Sequence, residues 1–275
     1  MTGAVVSKDG TAIAYRRSGR GPGLILVHGG MMTAQNFTRL ATALSDEFTV
    51  YVPDRRGRGG SGPAGDYSLQ KEVEDLSALV TETGAHNMFG LSSGAVISLR
   101  AAFDLPDVHH LALYEPPLSV GGSYSQDWVS RYDEEVAQGR LGAAMVTVMK
   151  GTRDRLGALP RFVLVPMMTL AVRADAKQAH PTRVPLRELI PTMRYDAQAV
   201  AEAAGLIDRC AQLSTEVLLM GGSKSPAYLK TALDALAGSL PHATRTEFPG
   251  VDHMAADNGG KPELVAQRLR DFFGG

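Results

Sequence analysis

The 275-residue sequence predicts an α/β architecture: a mostly parallel sheet with helices on both faces, interrupted by an inserted helical lobe. Three observations carry that expectation. Short β-branched runs alternate with helical patterns through residues 1–117 and again through 206–275. Between 118 and 205 the alternation stops and helical spacing dominates. The composition, 44% apolar, is enough to bury one large core carrying an inserted lobe.

Taken in chain order, strands are expected over residues 11–17, 23–28, 48–53, 86–90, 108–115, 216–221 and 243–248. A helix over 68–82 places Leu69, Val73, Leu76 and Val80 on one stripe, and Leu264, Val265, Leu269 and Phe272 form another near the C-terminus. In the lobe, Trp128, Tyr132 and Val136 share a face, and five of the chain's eleven methionines lie there. Cys210, on a helix with Leu206 and Ile207, is expected to be a small buried hydrophobe.

Charge narrows the function classes. Lysine plus arginine (28) nearly cancels aspartate plus glutamate (29), so no broad basic field exists to hold nucleic acid or an anionic membrane. The single cysteine excludes an internal disulfide and a multi-cysteine metal site. The N-terminal stretch lacks a basic start, apolar run and cleavage site, and the longest apolar run, 162–172, is too short to cross a bilayer and contains Pro166. The expectation is a cytoplasmic protein with no membrane span, and a homo-oligomer is left open.

The most informative stretch is "NMFGLSSGAVIS" at 87–98. Gly90-x-Ser92-x-Gly94 follows a strand and opens a helix near Ser93, which fits a nucleophile elbow: the turn is so sharp that side chains two positions either side of the serine would collide with backbone. Ser92 is the candidate nucleophile. The backbone N–H of Ser93, at the helix N-terminus, points where an oxyanion would form. The alternative, a Gly/Ser turn that merely joins strand to helix, loses ground to a second feature. "LILVHGG" at 24–30 reads as a buried strand ending in His28-Gly29-Gly30, glycines that let another backbone N–H approach the same oxyanion.

With "LVHGGMMTAQNF", "VYVPDRRGRGGSG", "FGLSSGAVISLRAAF", "LALYEPP", "LLMGGSKSP" and "FPGVDHMAADN" in this order and spacing, the sequence resembles the α/β-hydrolase superfamily over nearly all of the chain outside the lobe. The resemblance implies an α/β-hydrolase core at 1–117 and 206–275, a helical cap at 118–205, and an oxyanion hole from Ser93 with Gly30 or Met31. His28 is expected to brace the oxyanion loop. "GRGGSG" at 57–62 satisfies Gly-x-Gly-x-x-Gly, yet it resembles the family's Asp-x-x-Gly-x-Gly-x-Ser turn and is read as a structural turn anchored by Asp54, not a dinucleotide site.

In this family the order serine, acid, histidine puts the base after the last strand, where "FPGVDHMA" supplies His253. His109 and His110 point opposite ways on a strand, and His86, His180 and His242 have no nucleophile near them in the pattern. The acid is harder to place. Most relatives carry it at about the position of Ser225, but this chain has no carboxylate between Glu216 and Asp234. Some carry it one strand earlier, where "LALYEPP" offers Glu115, held extended by the proline that follows. A solvated strand-end glutamate is the competing interpretation, and Asp252 a weaker rival because adjacent side chains diverge.

These residues imply acyl transfer: Ser92 attacks a carbonyl, His253 relays the proton, and Glu115 orients the imidazole. The resemblance implies a small-molecule substrate and no need of a cofactor or metal. The expected substrate is an apolar carboxylic ester, thioester or lactone, with Met32, Met254, Trp128, Met145 and Met149 proposed to line the pocket. Met31, Met32 and Met254 are favoured by their place beside the catalytic loops, and core filling is the alternative for the lobe methionines. Arg161, Arg173, Arg183 and Arg187 are offered as rim residues for a carboxylate, against the default of exposed arginines. Two rivals stay open, since a fold does not fix a reaction. One is non-hydrolytic chemistry on the same fold, such as perhydrolysis of the haloperoxidase type, carbon–carbon cleavage, lyase or cyclase reactions. The other is a small-molecule receptor with little turnover.

Overall fold

Eight strands form one sheet in the computed structural model, which describes residues 1–153, 156–177 and 183–274. They are β1 (Thr2–Val6), β2 (Ala12–Gly19), β3 (Gly23–Val27), β4 (Thr49–Pro53), β5 (Asn87–Leu91), β6 (His110–Tyr114), β7 (Glu216–Gly222) and β8 (Ala243–Phe248), in the spatial order β1-β2-β4-β3-β5-β6-β7-β8. The pairs β1/β2 and β2/β4 are antiparallel and every other pair is parallel. The helices are α1 (Thr38–Leu44), α2 (Leu69–Thr83), α3 (Ser93–Ala102), α4 (Trp128–Ala137), α5 (Leu141–Gly151), α6 (Arg161–Lys177), α7 (Leu186–Leu189), α8 (Met193–Glu202), α9 (Leu206–Arg209), α10 (Ala227–Ser239) and α11 (Pro262–Phe273).

The parallel strands are apolar throughout because both faces are covered. On one face Ile25, Val27, Met88, Leu111, Leu113, Val217 and Leu219 pack under α2, α3 and α10. On the other, Leu24, Leu26, Phe89, Leu91, Ala112, Tyr114, Leu218 and Met220 pack under α1 and α11. The period-2 alternation of these residues is what splits one run of apolar sequence into two cores.

β1 corrects the sequence expectation, which began the sheet at residue 11. It is a five-residue edge strand with only Val5 buried, so neither alternation nor a continuous apolar run marks it; pairing with β2 from Thr2↔Arg16 to Val6↔Ala12 creates it. Between β6 and β7 the described residues contain no strand, and helices α4 to α9 fill the interval. Trp128, Tyr132, Ala144, Val148, Val172, Ile190 and Ala197 form a separate apolar cluster there. None of the described helices is long and apolar enough to cross a membrane. Cys210 is fully buried, its thiol 3.5 Å from the Leu206 carbonyl, and burial pushes it up to about 11.

Candidate active site

The sheet register aligns the chemistry. Leu91 pairs with Tyr114 and Tyr114 with Met220, so Ser92 and Glu115 leave the ends of β5 and β6 at the level of Gly221, near the end of β7. The loop after β3 borders the same edge on one side, and the loop after β8 on the other.

Ser92 adopts φ 57° and ψ −124°, the left-handed geometry of a sharp strand-to-helix turn. Its glycines are obligatory. A Cβ on Gly90 would lie 2.5 Å from the Gly94 carbonyl oxygen, and one on Gly94 would lie 2.4 Å from both the Val27 and the His28 carbonyl oxygens. The Ser92 N–H donates to the Tyr114 carbonyl at 2.9 Å, and the Ser92 carbonyl accepts from Ala95 and Val96 in the first turn of α3. In a trans peptide the N–H opposes the C=O, so the Ser93 N–H points out of the helix end.

Among the described residues four non-glycines have positive φ: Met31 (53°), Ser92 (57°), Glu115 (48°) and Arg153 (55°). Three of them occupy the expected oxyanion loop, nucleophile and acid positions. Such backbone costs roughly 1–3 kcal/mol per residue and persists only where surrounding structure enforces it. For Glu115 this corrects the expectation of an extended residue before proline. The strand ends at Tyr114; the Glu115 N–H still reaches the Met220 carbonyl at 3.1 Å, but the left-handed turn swings its side chain sideways over β7.

There Glu115 is fully buried and its two oxygens have separate tasks. Oε1 accepts the Gly222 N–H at 2.6 Å, and Oε2 lies 2.7 Å from Nδ1 of His253. Since a carboxylate can only accept, His253 carries its proton on Nδ1 and leaves Nε2 free as a base. The His253 loop is held from beneath by Tyr114, whose hydroxyl donates to the Asp252 carbonyl at 2.9 Å. Asp252 itself is exposed, and its carboxylate accepts the Met254 N–H at 3.0 Å, away from the imidazole.

Gly221 of β7 makes room for this acid, while Gly222 makes room for the Val251 backbone, whose carbonyl oxygen a Cβ there would approach to 2.4 Å. A Cβ on Gly221 would lie 2.9 Å from Glu115 Oε1. Ser225, at the usual position of the acid, is buried, and its hydroxyl has no hydrogen-bond partner among the described residues. "LLMGGS" was thus a readable sign that the carboxylate arrives from the neighbouring strand.

Beneath the loop after β3, His28 is fully buried; its Nδ1–H donates to the Gly29 carbonyl at 2.9 Å and its Nε2 accepts the Arg55 N–H at 3.3 Å. Burial, then the charges of Arg58 and Arg55, push its imidazole well below the ordinary range, so it is a neutral brace. Asp54 anchors the turn that follows β4, accepting the Ala34 N–H at 2.7 Å and the Gly60 N–H at 2.9 Å. The arginines of that turn point inward. Arg55 pairs with Glu72 of α2 and Asp196 of α8, each at 2.7 Å, while Arg58 pairs with Asp196 at 2.8 Å.

The remaining sequence candidates fall in different places. Met32 is buried in the core under α1 and α11, while Trp128, edge-on to Tyr132, and Met145 belong to the lobe's own cluster. Met149 is buried, and Met254, next to His253, is 45% exposed. Arg161 binds Glu135 and Thr147, Arg183 binds Asp175, Arg187 lies 3.7 Å from Glu188, and Arg173 is exposed. His86 and His109 stack on each other, His110 contacts Asn87, His242 is exposed, and His180 lies outside the described residues.

A family profile described as the alpha/beta hydrolase family matches residues 24–268. The chain belongs to that family. The hydrolase is similar over 98% of its length to the crystal structure of an alpha/beta hydrolase from Sphaerobacter thermophilus DSM 20745, with a TM-score of 0.81, 33% identity and all of that chain covered. It is 26% identical to the pimeloyl-[acyl-carrier protein] methyl ester esterase of Xanthomonas axonopodis pv. citri (strain 306), over 92% of this chain and 96% of that protein. The enol-lactonase from Burkholderia xenovorans LB400 shares the fold at a TM-score of 0.72 and 20% identity, over 99% of the hydrolase and all of that chain.

Proposed function

We propose that this hydrolase cleaves an apolar carboxylic ester, thioester or lactone through an acyl-enzyme on Ser92. The observation that carries the proposal is the buried Glu115, clamped by the Gly222 N–H and 2.7 Å from His253 Nδ1, on the strand next to a serine held at φ 57°. His253 Nε2 takes the Ser92 proton as Oγ attacks the carbonyl, and the oxyanion is met by the N–H groups of Ser93 and of Gly30 or Met31. The imidazolium then protonates the leaving group, Glu115 stabilising its charge, and water admitted against the same base hydrolyses the acyl-enzyme.

Ester and lactone substrates are supported by the activities of relatives, a methyl ester esterase and an enol-lactonase. Residues 118–205 serve as a cap in this proposal, and Met254, exposed directly beside His253, is the pocket residue placed nearest the chemistry by sequence. The test is a panel of p-nitrophenyl esters of two to twelve carbons together with γ- and δ-lactones, run with the wild type and Ser92→Ala. Turnover that disappears in Ser92→Ala is expected. Turnover that survives the substitution, or tight ligand binding without turnover, would reject the mechanism.

A further inference from the structure

The fold brings a carboxylate from the lobe to the underside of both proposed oxyanion donors. Asp196, on α8 and 1% exposed, accepts the Ser93 hydroxyl at 2.6 Å. The same carboxylate accepts Arg55 Nη1 at 2.7 Å and Arg58 Nη2 at 2.8 Å. Those guanidinium groups in turn hold the oxyanion loop: Arg58 Nη1 donates to the Gly29 carbonyl at 3.3 Å, and Arg55 Nη1 lies 3.4 Å from the His28 carbonyl and 3.2 Å from the Ser93 hydroxyl.

The direction of that hold matters. In a trans peptide, drawing the Gly29 carbonyl toward the arginines turns the Gly30 N–H the opposite way. Gly30 also leaves no slack, since a Cβ there would lie 3.2 Å from the Asp196 carboxyl carbon and 3.0 Å from Met193 Sδ. Met31, strained at φ 53°, packs its side chain against the lobe's apolar cluster. Burial raises the Asp196 carboxyl, but Arg58 and Arg55 outweigh it and hold it at about 2, so it is ionised at any working pH.

We infer that Asp196 is a positioning residue: through the Ser93 hydroxyl and the Arg55–Arg58 pair it aims both backbone donors of the oxyanion hole, so that the hole is correctly built only while α8 is seated on the core. This deepens the proposed acyl-transfer function and rests on it. The lobe is then part of the catalytic frame as well as a cover. An error of about 1 Å in such a donor is enough to cost roughly a hundredfold in rate, because the donors act only on charge that develops in the transition state.

The experiment uses Ser93→Ala, which deletes the hydroxyl and keeps the backbone N–H, and Asp196→Asn. It measures kcat and KM on the best ester of the panel, the inhibition constant of a trifluoromethyl ketone whose hemiketal oxyanion occupies the hole, and the melting temperature. The expected result is a fall in kcat of about tenfold for Ser93→Ala and about a hundredfold for Asp196→Asn, with KM within roughly twofold. The ketone should weaken by the same factor as kcat. A folded Ser93→Ala protein with unchanged kcat and unchanged ketone affinity overturns the inference, even if Asp196→Asn does not fold. So does a loss of kcat with undiminished ketone affinity, which marks a role in packing alone. A wild type without Ser92-dependent turnover fails differently: it removes the acyl-transfer proposal and the inference with it.

Discussion

Replacing Glu115 by glutamine tests the least conventional feature of the site. The carboxylate accepts two hydrogen bonds at once, from Gly222 N–H at 2.6 Å and from His253 Nδ1 at 2.7 Å, and it has no exposure to water. A glutamine carries one oxygen and one NH2 group, so only one of these donors can be met. Turning the NH2 toward Gly222 would set two donors face to face and leave a buried N–H unpaired, at a cost of about 1–3 kcal/mol. The amide therefore keeps its oxygen on Gly222 and presents NH2 to His253. Nδ1 must then accept, the ring proton moves to Nε2, and the nitrogen that should take the Ser92 proton is blocked. The imidazolium also loses its buried counter-charge. Together these effects predict a fall in kcat of roughly 10³–10⁴, about 4–5 kcal/mol of barrier, with KM little changed. The assay is steady-state ester hydrolysis on protein shown by circular dichroism and thermal melting to be folded. Asp252→Asn, which alters an exposed carboxylate that accepts the Met254 N–H, should remain within roughly threefold of the wild type. Glu115→Gln activity within tenfold of the wild type, or an inverted ranking of the two variants, would refute this assignment of the acid.

Three further outcomes follow from the same geometry. Gly221→Ala places a Cβ 2.9 Å from Glu115 Oε1 and 2.7 Å from Leu233 Cδ1, both ends of movable side chains, so the protein should fold while kcat drops about 10–100-fold; wild-type kcat would show that the acid tolerates displacement. Gly94→Ala meets two backbone carbonyls at 2.4 Å and should lose about 3 kcal/mol or more of stability in denaturant titration, whereas a loss below about 1 kcal/mol would contradict the tight elbow. Asp196, held at about 2 against an ordinary 3.8, has a folded-state value below its unfolded one; its contribution of about 2 kcal/mol is complete above pH 4 and disappears as pH falls toward 2. Melting curves of the wild type and Asp196→Asn should therefore converge between pH 4 and 2, and a constant gap across that range would contradict the ionised network.

Local pattern carried much of this architecture into view. The strands ending at Val27, Leu91 and Tyr114 are short apolar runs between turn residues, and Gly90-x-Ser92-x-Gly94 encodes its steric demand directly, since each glycine faces backbone in the fold. His253 was legible from its place after the last strand. Glu115 was legible only by elimination, and its left-handed backbone ran against the preference of a residue before proline; tertiary contacts with Met220 and Gly222 decide it. β1 is not legible in the sequence because pairing, not composition, makes it a strand.

Asp196 lies 103 residues from Ser93 and 141 from Arg55, so no spacing rule connects them, although a turn with three arginines that must be buried already calls for partners of opposite charge. The lobe methionines show the limit of helical periodicity. Spacing identifies which side chains share a face, but whether that face meets a substrate or other side chains depends on the packing of the whole lobe.

The most direct test of the central claim is peptide mass spectrometry of the wild type and Ser92→Ala after exposure to a broad fluorophosphonate probe. The mechanism predicts a single adduct on Ser92, absent in the Ser92→Ala protein and slowed at least a hundredfold by Glu115→Gln. Folded wild type that acquires no adduct, or one that is labelled on another residue, would contradict an activated nucleophile at Ser92.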